Sequence, residues 1–516
     1  MGVDVRDTCS RIQRGPERLI RMVEVSRRSV LIGGLAALGV GVLGACSPDR
    51  PQRPESSPLP GPPLQASPKP GQKVVEASLT ARPVAVDLGA GIIANTWAYG
   101  DEVPGRVVRA TAGDFLRVNV DNQLPAPTTV HWHGIRLRNE ADGVPDVTQQ
   151  AIAPGNRFVY AFTAPDAGTH FFHPHVGAQL DRGLYAPIII DDPADAGDYD
   201  AEWIVVLDDW TDGVGKSPDQ ILADFQAESG PLKSGMGGMD HSSMPGMNHG
   251  NSSLGDAGDV AYPHYLINGR VPEAPTEFRC RPGQRVRVRL INAASDTVFK
   301  VALADHTMTV THSDGHRVND KQTGALYVAM GERYDVTITA GDGVFPLVAA
   351  AEGKSGQALA FLRTASGQAP PSTIRPRELE GPVLLGADDL AAAESARLPD
   401  RDPDTTLKVT LNGQMSPYAW GINGKKYGED TPLTVRPGQR LRMQITNSTM
   451  MVHPMHIHGH TWSLPDRSGL RKDTVLIRPM GGVNVDLDAD NPGAWALHCH
   501  NIYHMETGMM TTLRYA

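Results

Sequence analysis

One pattern of alternating polar and aliphatic residues occurs three times along the chain. Each copy reads Gly-x-x-(Leu/Val)-Arg-(Val/Met)-x-(aliphatic)-x-Asn, which predicts a turn followed by a β-strand with one buried face. The copies begin 170 and 155 residues apart, a spacing of whole domains. They run from Gly113 to Asn122, from Gly283 to Asn292 and from Gly438 to Asn447. We therefore expect an all-β protein of three related domains, at 75–195, 200–365 and 383–516, with a linker at 367–382.

Four His-x-His pairs accompany this repeat in the two outer domains. One pair begins nine residues after the final Asn of the first and third copies, whereas the same offsets in the middle copy reach Val301 and Leu303. A second pair in each outer domain begins five residues after a glycine. The pairs are His131 and His133, His173 and His175, His456 and His458, and His498 and His500. We expect a metal cluster between domains one and three, with the middle domain as a spacer.

These pairs favour a transition metal over ordinary packing. Residues two apart on a strand point to the same face, so each pair presents two imidazoles side by side. Chance placement of the 18 histidines would give roughly 0.6 such pairs. Core histidines bonded to backbone are the usual alternative for a lone histidine, but they do not account for four matched pairs. Converging imidazoles suit copper or another borderline metal.

Cys499 lies between two of these histidines, and strand alternation sends its sulfur to the opposite face. With His453 and His504 it forms a His2Cys set, and Met509 is placed as a long axial ligand, as in blue-copper sites. Cys499 would then join this copper to the histidine cluster by a few covalent bonds. The alternative is a disulfide with Cys280 in an exported protein.

Domain one lacks the residues for a second site of this kind. The positions that match the Cys499, His504 and Met509 set hold Pro174, Gln179 and Leu184. Electrons are therefore expected to enter only through domain three.

The first 74 residues resemble a targeting signal followed by a tether. Arg27 and Arg28 precede an apolar run of about 14 residues, too short to span a membrane comfortably, which is typical of a twin-arginine export signal. The run ends at Leu43-Gly44-Ala45-Cys46, which resembles a bacterial lipobox that would place a lipid on Cys46; a plain cleaved signal is the alternative. Residues 47–74 are rich in proline, as in an extended tether. We expect an exported, lipid-anchored protein of the cell envelope or periplasm.

Charge argues against one class of partner. The formal net charge is -10 and no long basic run occurs, so nucleic acid is not an expected partner. We expect a monomer.

A polar stretch at 235–250 carries four methionines among Gly, Ser, Asp and Asn. Nothing apolar surrounds them, so they are not core residues, and thioethers are soft ligands that suit Cu(I). Sacrificial methionines that scavenge oxidant are the alternative. Two further methionines, Met450 and Met451, precede His453. There they would hold a Cu(I) ion that donates its electron close to Cys499. The candidate substrate ligands are Met236, Met239, Met244, Met247, Met450 and Met451.

The segments 131–134, 173–175, 453–459 and 498–510 resemble the four copper motifs of three-domain multicopper oxidases. The resemblance covers the chain after the tether and implies three cupredoxin-like Greek-key β-barrels with four coppers. It implies type 1 copper on His453, Cys499, His504 and Met509, and type 2 copper on His131 and His456. It implies a type 3 pair on His133, His173, His175, His458, His498 and His500.

Reduction of dioxygen consumes protons, so an acid near the cluster is needed. Asp142 lies where related bacterial enzymes carry such an acid, and Glu506 is a second candidate. Many bacterial members have an acid directly after the type 1 histidine, whereas this chain has Met505. A solvated surface carboxylate is the alternative for both acids.

The methionine stretch resembles insertions in bacterial copper-resistance oxidases, including mycobacterial multicopper oxidase lipoproteins, which implies oxidation of Cu(I) to Cu(II) and copper tolerance. A laccase acting on phenols or aromatic amines, or a ferroxidase, is the alternative enzyme. A copper-buffering lipoprotein is the alternative outside enzymes, although storage needs no electron path through Cys499. A copper nitrite reductase would need fewer histidines.

Overall fold

A computed structural model describes residues 66–195, 197–232, 252, 254–255 and 258–516. The export signal, the lipobox and most of the tether lie outside these residues, as do the methionines of the 235–250 stretch. Among the described residues, no helix is both long and apolar enough to cross a membrane.

The first domain contains eight strands. They are β1 (Val74–Gly89), β2 (Ile92–Tyr99), β3 (Val108–Thr111), β4 (Phe115–Asn122), β5 (His131–His133), β6 (Arg157–Thr163), β7 (Gly168–His173) and β8 (Ala186–Asp191). They form two four-stranded sheets with the orders β2-β1-β4-β6 and β3-β8-β7-β5.

The described part of the middle domain contains twelve strands in two six-stranded sheets. They are β9 (Ala201–Trp210), β10 (His264–Ile267), β11 (Thr276–Arg279), β12 (Arg285–Asn292), β13 (Phe299–Leu303), β14 (Met308–Ser313), β15 (His316–Thr323), β16 (Ala325–Val328), β17 (Arg333–Thr339), β18 (Val344–Ala351), β19 (Gln357–Arg363) and β20 (Val383–Leu384). The sheet orders are β10-β9-β12-β17-β14-β15 and β11-β19-β18-β13-β16-β20.

The third domain contains eleven strands in the orders β22-β21-β24-β29-β26-β27 and β23-β31-β30-β25-β28. They are β21 (Thr405–Met415), β22 (Tyr418–Ile422), β23 (Leu433–Val435), β24 (Arg440–Asn447), β25 (His453–Ile457), β26 (Trp462–Leu464), β27 (Leu470–Lys472), β28 (Thr474–Ile477), β29 (Gly482–Asp488), β30 (Ala494–Cys499) and β31 (Met510–Tyr515). Within the described ranges the helices are α1 (Pro218–Ala227), α2 (Gly386–Asp389) and α3 (Ile502–Glu506), with short 3-10 turns at Asn139–Ala141, Leu180–Arg182, Arg377–Glu380, Glu394–Ala396 and Pro465–Arg467.

The repeated pattern forms the same strand in every domain. β4, β12 and β24 each lie between a parallel partner and an antiparallel partner. The Asn that ends each copy is buried, and its side chain ties the strand end to later loops. The side-chain amides of Asn122, Asn292 and Asn447 donate to the carbonyls of Ile152 at 2.7 Å, Val328 at 2.8 Å and Arg478 at 3.0 Å. The Asn at the end of each copy is therefore explained by its side chain, which bonds a loop at the buried end of the strand.

The boundary expected at residue 383 is too early. β20, at Val383–Leu384, pairs with β16 and completes a sheet of the middle domain, while the first strand of the third domain begins at Thr405. The repeat predicts the spacing of the domains. It does not indicate which domain the connecting segment with β20 packs against.

Candidate metal centres

Eight buried histidines meet where the first and third domains face each other. β5 pairs with β7, so His131 lies opposite His173, and β25 pairs with β30, so His456 lies opposite His498. Across the domain boundary, the rings of His131 and His458 stack at 3.7 Å, and those of His133 and His456 stack at 3.8 Å. The structure therefore brings together all four pairs between domains one and three. Their middle-domain counterparts, Val301 and Leu303 on β13, are core residues.

Within the cluster, the imidazoles fall into two trios and a pair. In the first trio, Nε2 of His498 lies 3.0 Å from Nε2 of His458 and 3.4 Å from Nε2 of His175. The second trio is His133, His173 and His500, whose ring centroids are 4.9 to 5.8 Å apart. His131 and His456 remain, with ring centroids 5.7 Å apart.

The hydrogen bonding of these rings fits metal ligation. Several have one nitrogen fixed by a backbone carbonyl: Nδ1 of His131 by Asp142 at 3.0 Å, Nδ1 of His173 by Pro174 at 2.9 Å, and Nδ1 of His456 by Asp473 at 2.9 Å. The other nitrogen of each ring is buried and has no partner among the described residues. An unpaired buried polar atom costs about 1–3 kcal/mol, so such atoms call for a ligand. Neutral imidazoles held this way are the usual metal donors.

Burial and the neighbouring imidazoles also keep these rings neutral. Burial lowers the pKa well below its usual value in six of them, and the other imidazoles of the cluster lower it further. The six are His133, His173, His175, His458, His498 and His500. A neutral imidazole has a free lone pair, so the donor set suits copper.

Asp142 bridges the two halves of this cluster. Its Oδ1 lies 3.1 Å from Nδ1 of His131, and its Oδ2 lies 2.8 Å from Nδ1 of His458. The carboxylate is 1% exposed, so it is not a surface acid. Gly143 keeps the turn that presents it, because its φ is +81° and a Cβ there would lie 2.0 Å from the Val130 carbonyl oxygen.

Glu506, the second candidate acid, lies at the end of α3. It lines a cavity of about 270 Å³ with His175 of the cluster and with Val144 of the first domain. Burial raises the pKa of Glu506 to about 7. Asp142 therefore touches the histidines directly, whereas Glu506 reaches them across a cavity.

Cys499 lies on the opposite side of β30 from the cluster, as strand alternation predicts. Its Sγ is 3.6 Å from Nδ1 of His453 and 3.7 Å from Nδ1 of His504. The backbone N–H of Cys499 donates to the Met509 carbonyl at 3.0 Å, which places the backbone of Met509 next to that of Cys499. All four residues are fully buried. Burial raises the pKa of the Cys499 thiol, so a bound cation is needed to hold a thiolate there. Cys499 and Cys280 are both free thiols, so the disulfide alternative is wrong.

The middle domain contacts both centres, so the expectation that it is only a spacer is wrong. A Cβ on Gly331 would lie 2.8 Å from Cδ2 of His500 and 2.9 Å from Cε1 of His133. Asp259 lies 2.9 Å from Nε2 of His504. Arg333 contacts Asp473, which holds two cluster histidines. These residues carry no motif or periodic pattern, so sequence reasoning missed them.

The candidate substrate methionines divide into three groups. Met236, Met239, Met244 and Met247 lie outside the described residues. Met450 is 50% exposed, whereas Met451 is buried and lines a small cavity with Met330. The two adjacent methionines therefore do not present their sulfurs to solvent together.

A His2Cys site beside a methionine, joined through one cysteine to an eight-histidine cluster in an all-β frame, defines an electron-transfer protein built for copper. Family models described as multicopper oxidase match residues 82–195, 201–367 and 400–516. The multicopper oxidase MmcO of Mycobacterium tuberculosis (strain ATCC 25618 / H37Rv) is 50% identical over 448 residues, covering 86% of this chain and 87% of that protein. The copper resistance protein A homolog of Pseudomonas syringae pv. tomato (strain ATCC BAA-871 / DC3000) is 28% identical over 563 residues, covering 88% and 95%.

A solved structure of a multicopper oxidase matches the fold of this chain. A multi-copper oxidase from Pseudomonas thermotolerans matches with a TM-score of 0.65 at 26% identity, over 86% of this chain and 100% of that one. The chain therefore belongs to the multicopper oxidase family and is a copper-binding oxidoreductase. The predicted family, the fold of three cupredoxin-like domains and the enzyme class are confirmed.

Proposed function

We propose that this enzyme oxidises Cu(I) to Cu(II), reduces dioxygen to water and thereby serves copper tolerance. The balanced reaction is four Cu(I), one dioxygen and four protons giving four Cu(II) and two waters. The observation that carries the proposal is the position of Cys499, whose sulfur faces His453 and His504 while its neighbours His498 and His500 belong to the cluster.

Four coppers would occupy the two centres. His453, Cys499, His504 and Met509 would hold the type 1 copper, and His131 and His456 the type 2 copper. The two trios would each hold one copper of the type 3 pair, which is supported by the nitrogen spacing of the first trio and by the unpartnered nitrogens of the second. When bound, copper supplies one-electron transfer at Cys499 and four-electron reduction of dioxygen at the cluster.

The residues of the chain orient these ligands and supply protons. Asp142 fixes the rings of His131 and His458 through Nδ1, which leaves Nε2 of each ring for the metal. Asp142 and Asp473 each contact a histidine from both outer domains. Asp473 is already paired with Arg333, so Asp142 is the better-placed proton donor. Glu506 would pass protons across the cavity that it shares with His175.

Cu(I) as the electron donor is supported by soft ligands near the type 1 site. Met450 is exposed and follows Thr449, whose hydroxyl lies 2.7 Å from Nε2 of His453. A Cu(I) ion held at Met450 would therefore lie close to a type 1 ligand, and the methionines of 235–250 would deliver it. The similarity to a copper resistance protein supports the role in copper tolerance.

One observation favours laccase activity as a second function. A groove of about 670 Å³ is lined by Phe225, Tyr262 and Asp259. Asp259 contacts Nε2 of His504, so a phenol or aromatic amine in this groove would lie one residue from the type 1 site. A copper-buffering lipoprotein would need neither this groove nor the path through Cys499.

Export by a twin-arginine signal and anchoring by a lipid on Cys46 belong to the same proposal. Copper tolerance in the cell envelope would require the enzyme to meet Cu(I) outside the cytoplasm, and residues 26–46 supply the signal for it.

Oxygen uptake with Cu(I) as the sole donor tests the proposed function. We expect purified, copper-loaded protein to consume dioxygen much faster than Cu(I) autoxidises in buffer. Uptake equal to autoxidation would contradict it. Deletion of residues 235–250 should slow Cu(I) oxidation more than phenol oxidation. Equal slowing of both reactions would mean that the segment contributes to folding and not to Cu(I) delivery.

A further inference from the structure

A cluster of buried ionic residues lies where all three domains meet. At its centre is Arg333 of β17, whose side chain is 0% exposed. Its guanidinium makes two parallel hydrogen bonds to Asp473 of the third domain, from Nη1 and Nη2, each 2.6 Å long. Its Nε donates to the Thr169 carbonyl of the first domain at 3.1 Å. One side chain of the middle domain thus connects both outer domains.

Asp473 in turn contacts two histidines of the cluster. Its Oδ1 lies 3.2 Å from Nε2 of His133, and its carbonyl oxygen lies 2.9 Å from Nδ1 of His456. The hydroxyl of Thr474 lies 3.1 Å from both of these nitrogens. The two rings stack with an angle of 10° between their planes, although they come from different domains. Asp473 and Thr474 therefore fix the face that His133 and His456 present to metal.

Arg333 is the cation that fixes Asp473. The neighbouring acids Asp314 and Glu332 lie 3.1 Å and 3.2 Å from Nζ of Lys472. Asp314 also lies 3.4 Å from Nη1 of Arg333, but only Asp473 receives the paired hydrogen bonds of the guanidinium. A planar guanidinium matches a carboxylate in two hydrogen bonds and sets its rotation, which an ammonium does not.

Arg333 and Asp473 pack closely against Gly134 of the first domain. A Cβ on Gly134 would lie 2.3 Å from Nη2 of Arg333 and 2.7 Å from Oδ2 of Asp473. Gly134 follows His133 directly and has a φ of +84°, so the chain bends there without a side chain. The Arg333–Asp473 pair thus fits against a glycine that leaves space for it.

We propose that Arg333 is a positioning residue for the copper cluster, which acts through Asp473 to set the orientation of His133 and His456. The middle domain, which provides none of the proposed copper ligands, thereby determines the geometry of the type 2 site and of one type 3 site. The inference relies on the proposed function only for the assignment of these two histidines to copper, and it does not depend on the electron donor.

The test compares two buried arginines exchanged for lysine. Arg333→Lys keeps the charge but loses the paired hydrogen bonds to Asp473. Arg289→Lys is the matched control, because Arg289 is also buried, also contacts the first domain through Thr169, and pairs with Asp335. Among the described residues, Arg289 contacts no histidine of the cluster. Copper per chain, the type 2 signal in electron paramagnetic resonance and the type 1 blue absorbance are measured on holoprotein.

We expect Arg333→Lys to keep the blue absorbance, to change or lose the type 2 signal, and to retain copper at the cluster about 10- to 100-fold less tightly against a chelator. Arg289→Lys should keep all three. If both variants show the wild-type type 2 signal and copper retention, the proposal is overturned.

Asp473→Asn provides the second variant, because it is isosteric and leaves Arg333 in place should Arg333→Lys fail to fold. A changed type 2 signal with retained blue absorbance supports the proposal, and an unchanged signal overturns it. Wild-type protein that lacks a type 2 signal would instead contradict the proposed copper assignment, so the two failures are distinguishable.

Discussion

Gly331 offers a direct test of how closely the middle domain approaches the cluster. Gly331→Ala adds a Cβ that would lie 2.8 Å and 2.9 Å from ring carbons of His500 and His133. Gly331 also has a φ of +81°, a conformation that costs an L-residue about 1–2 kcal/mol. Overpacking against two fixed rings adds about 1–3 kcal/mol. We therefore expect the free energy of unfolding to fall by about 2–5 kcal/mol, with partial loss of cluster copper.

Gly283→Ala separates the two contributions. Gly283 lies in the same domain with a φ of +79°, and a Cβ there meets no atom within 4 Å. This control should lose only about 1–2 kcal/mol and keep its copper. Denaturant titration of metal-free protein, with metal analysis of the loaded protein, measures both effects. Equal destabilisation and full copper content in both variants would refute the packing of residue 331 against the histidines.

Three further predictions concern electrons, protons and charge. Cys499→Ser should abolish blue absorbance and turnover while the protein stays folded by circular dichroism; retained turnover would place electron transfer elsewhere. Asp142→Asn should lower the rate of oxygen uptake about 10²- to 10⁴-fold at unchanged blue absorbance, and a loss below tenfold would exclude Asp142 as proton donor. Burial alone would raise the pKa of Asp335, but Arg289 and Arg287 hold it well below its usual value. Its contribution to stability is therefore full above about pH 4 and is lost as pH falls below it, so Asp335→Asn should flatten the acid side of a denaturation curve measured against pH.

Local and repeated features of the site were predictable from the sequence. The His-x-His pairs recur at fixed distances from a repeated strand, and a strand has only two faces, so the sides taken by Cys499 and its neighbours follow from spacing alone. The repeat likewise placed the cluster between the outer domains, because the middle copy has Val301 and Leu303 at the matching positions.

Residues that act through tertiary contacts were not predictable. Arg333 and Asp473 are 140 positions apart, and His133 and Asp473 are 340 apart. Arg333 and Asp473 are ordinary polar residues in a strand or next to one, so neither spacing nor composition marks them. The start of the third domain was misplaced for a related reason, since β20 is recognisable as part of the middle domain only from its pairing with β16.

The stacking of His131 on His458 and of His133 on His456 has a consequence for biogenesis. Each stack joins a residue translated early to one translated near the end of the chain, so no partial product can assemble the cluster. Under the proposed copper assignment, copper would bind the cluster only after the last domain is complete and docked, so metal content would report finished folding. Docking of the third domain on the first would thus be the step at which the protein gains its cluster metal.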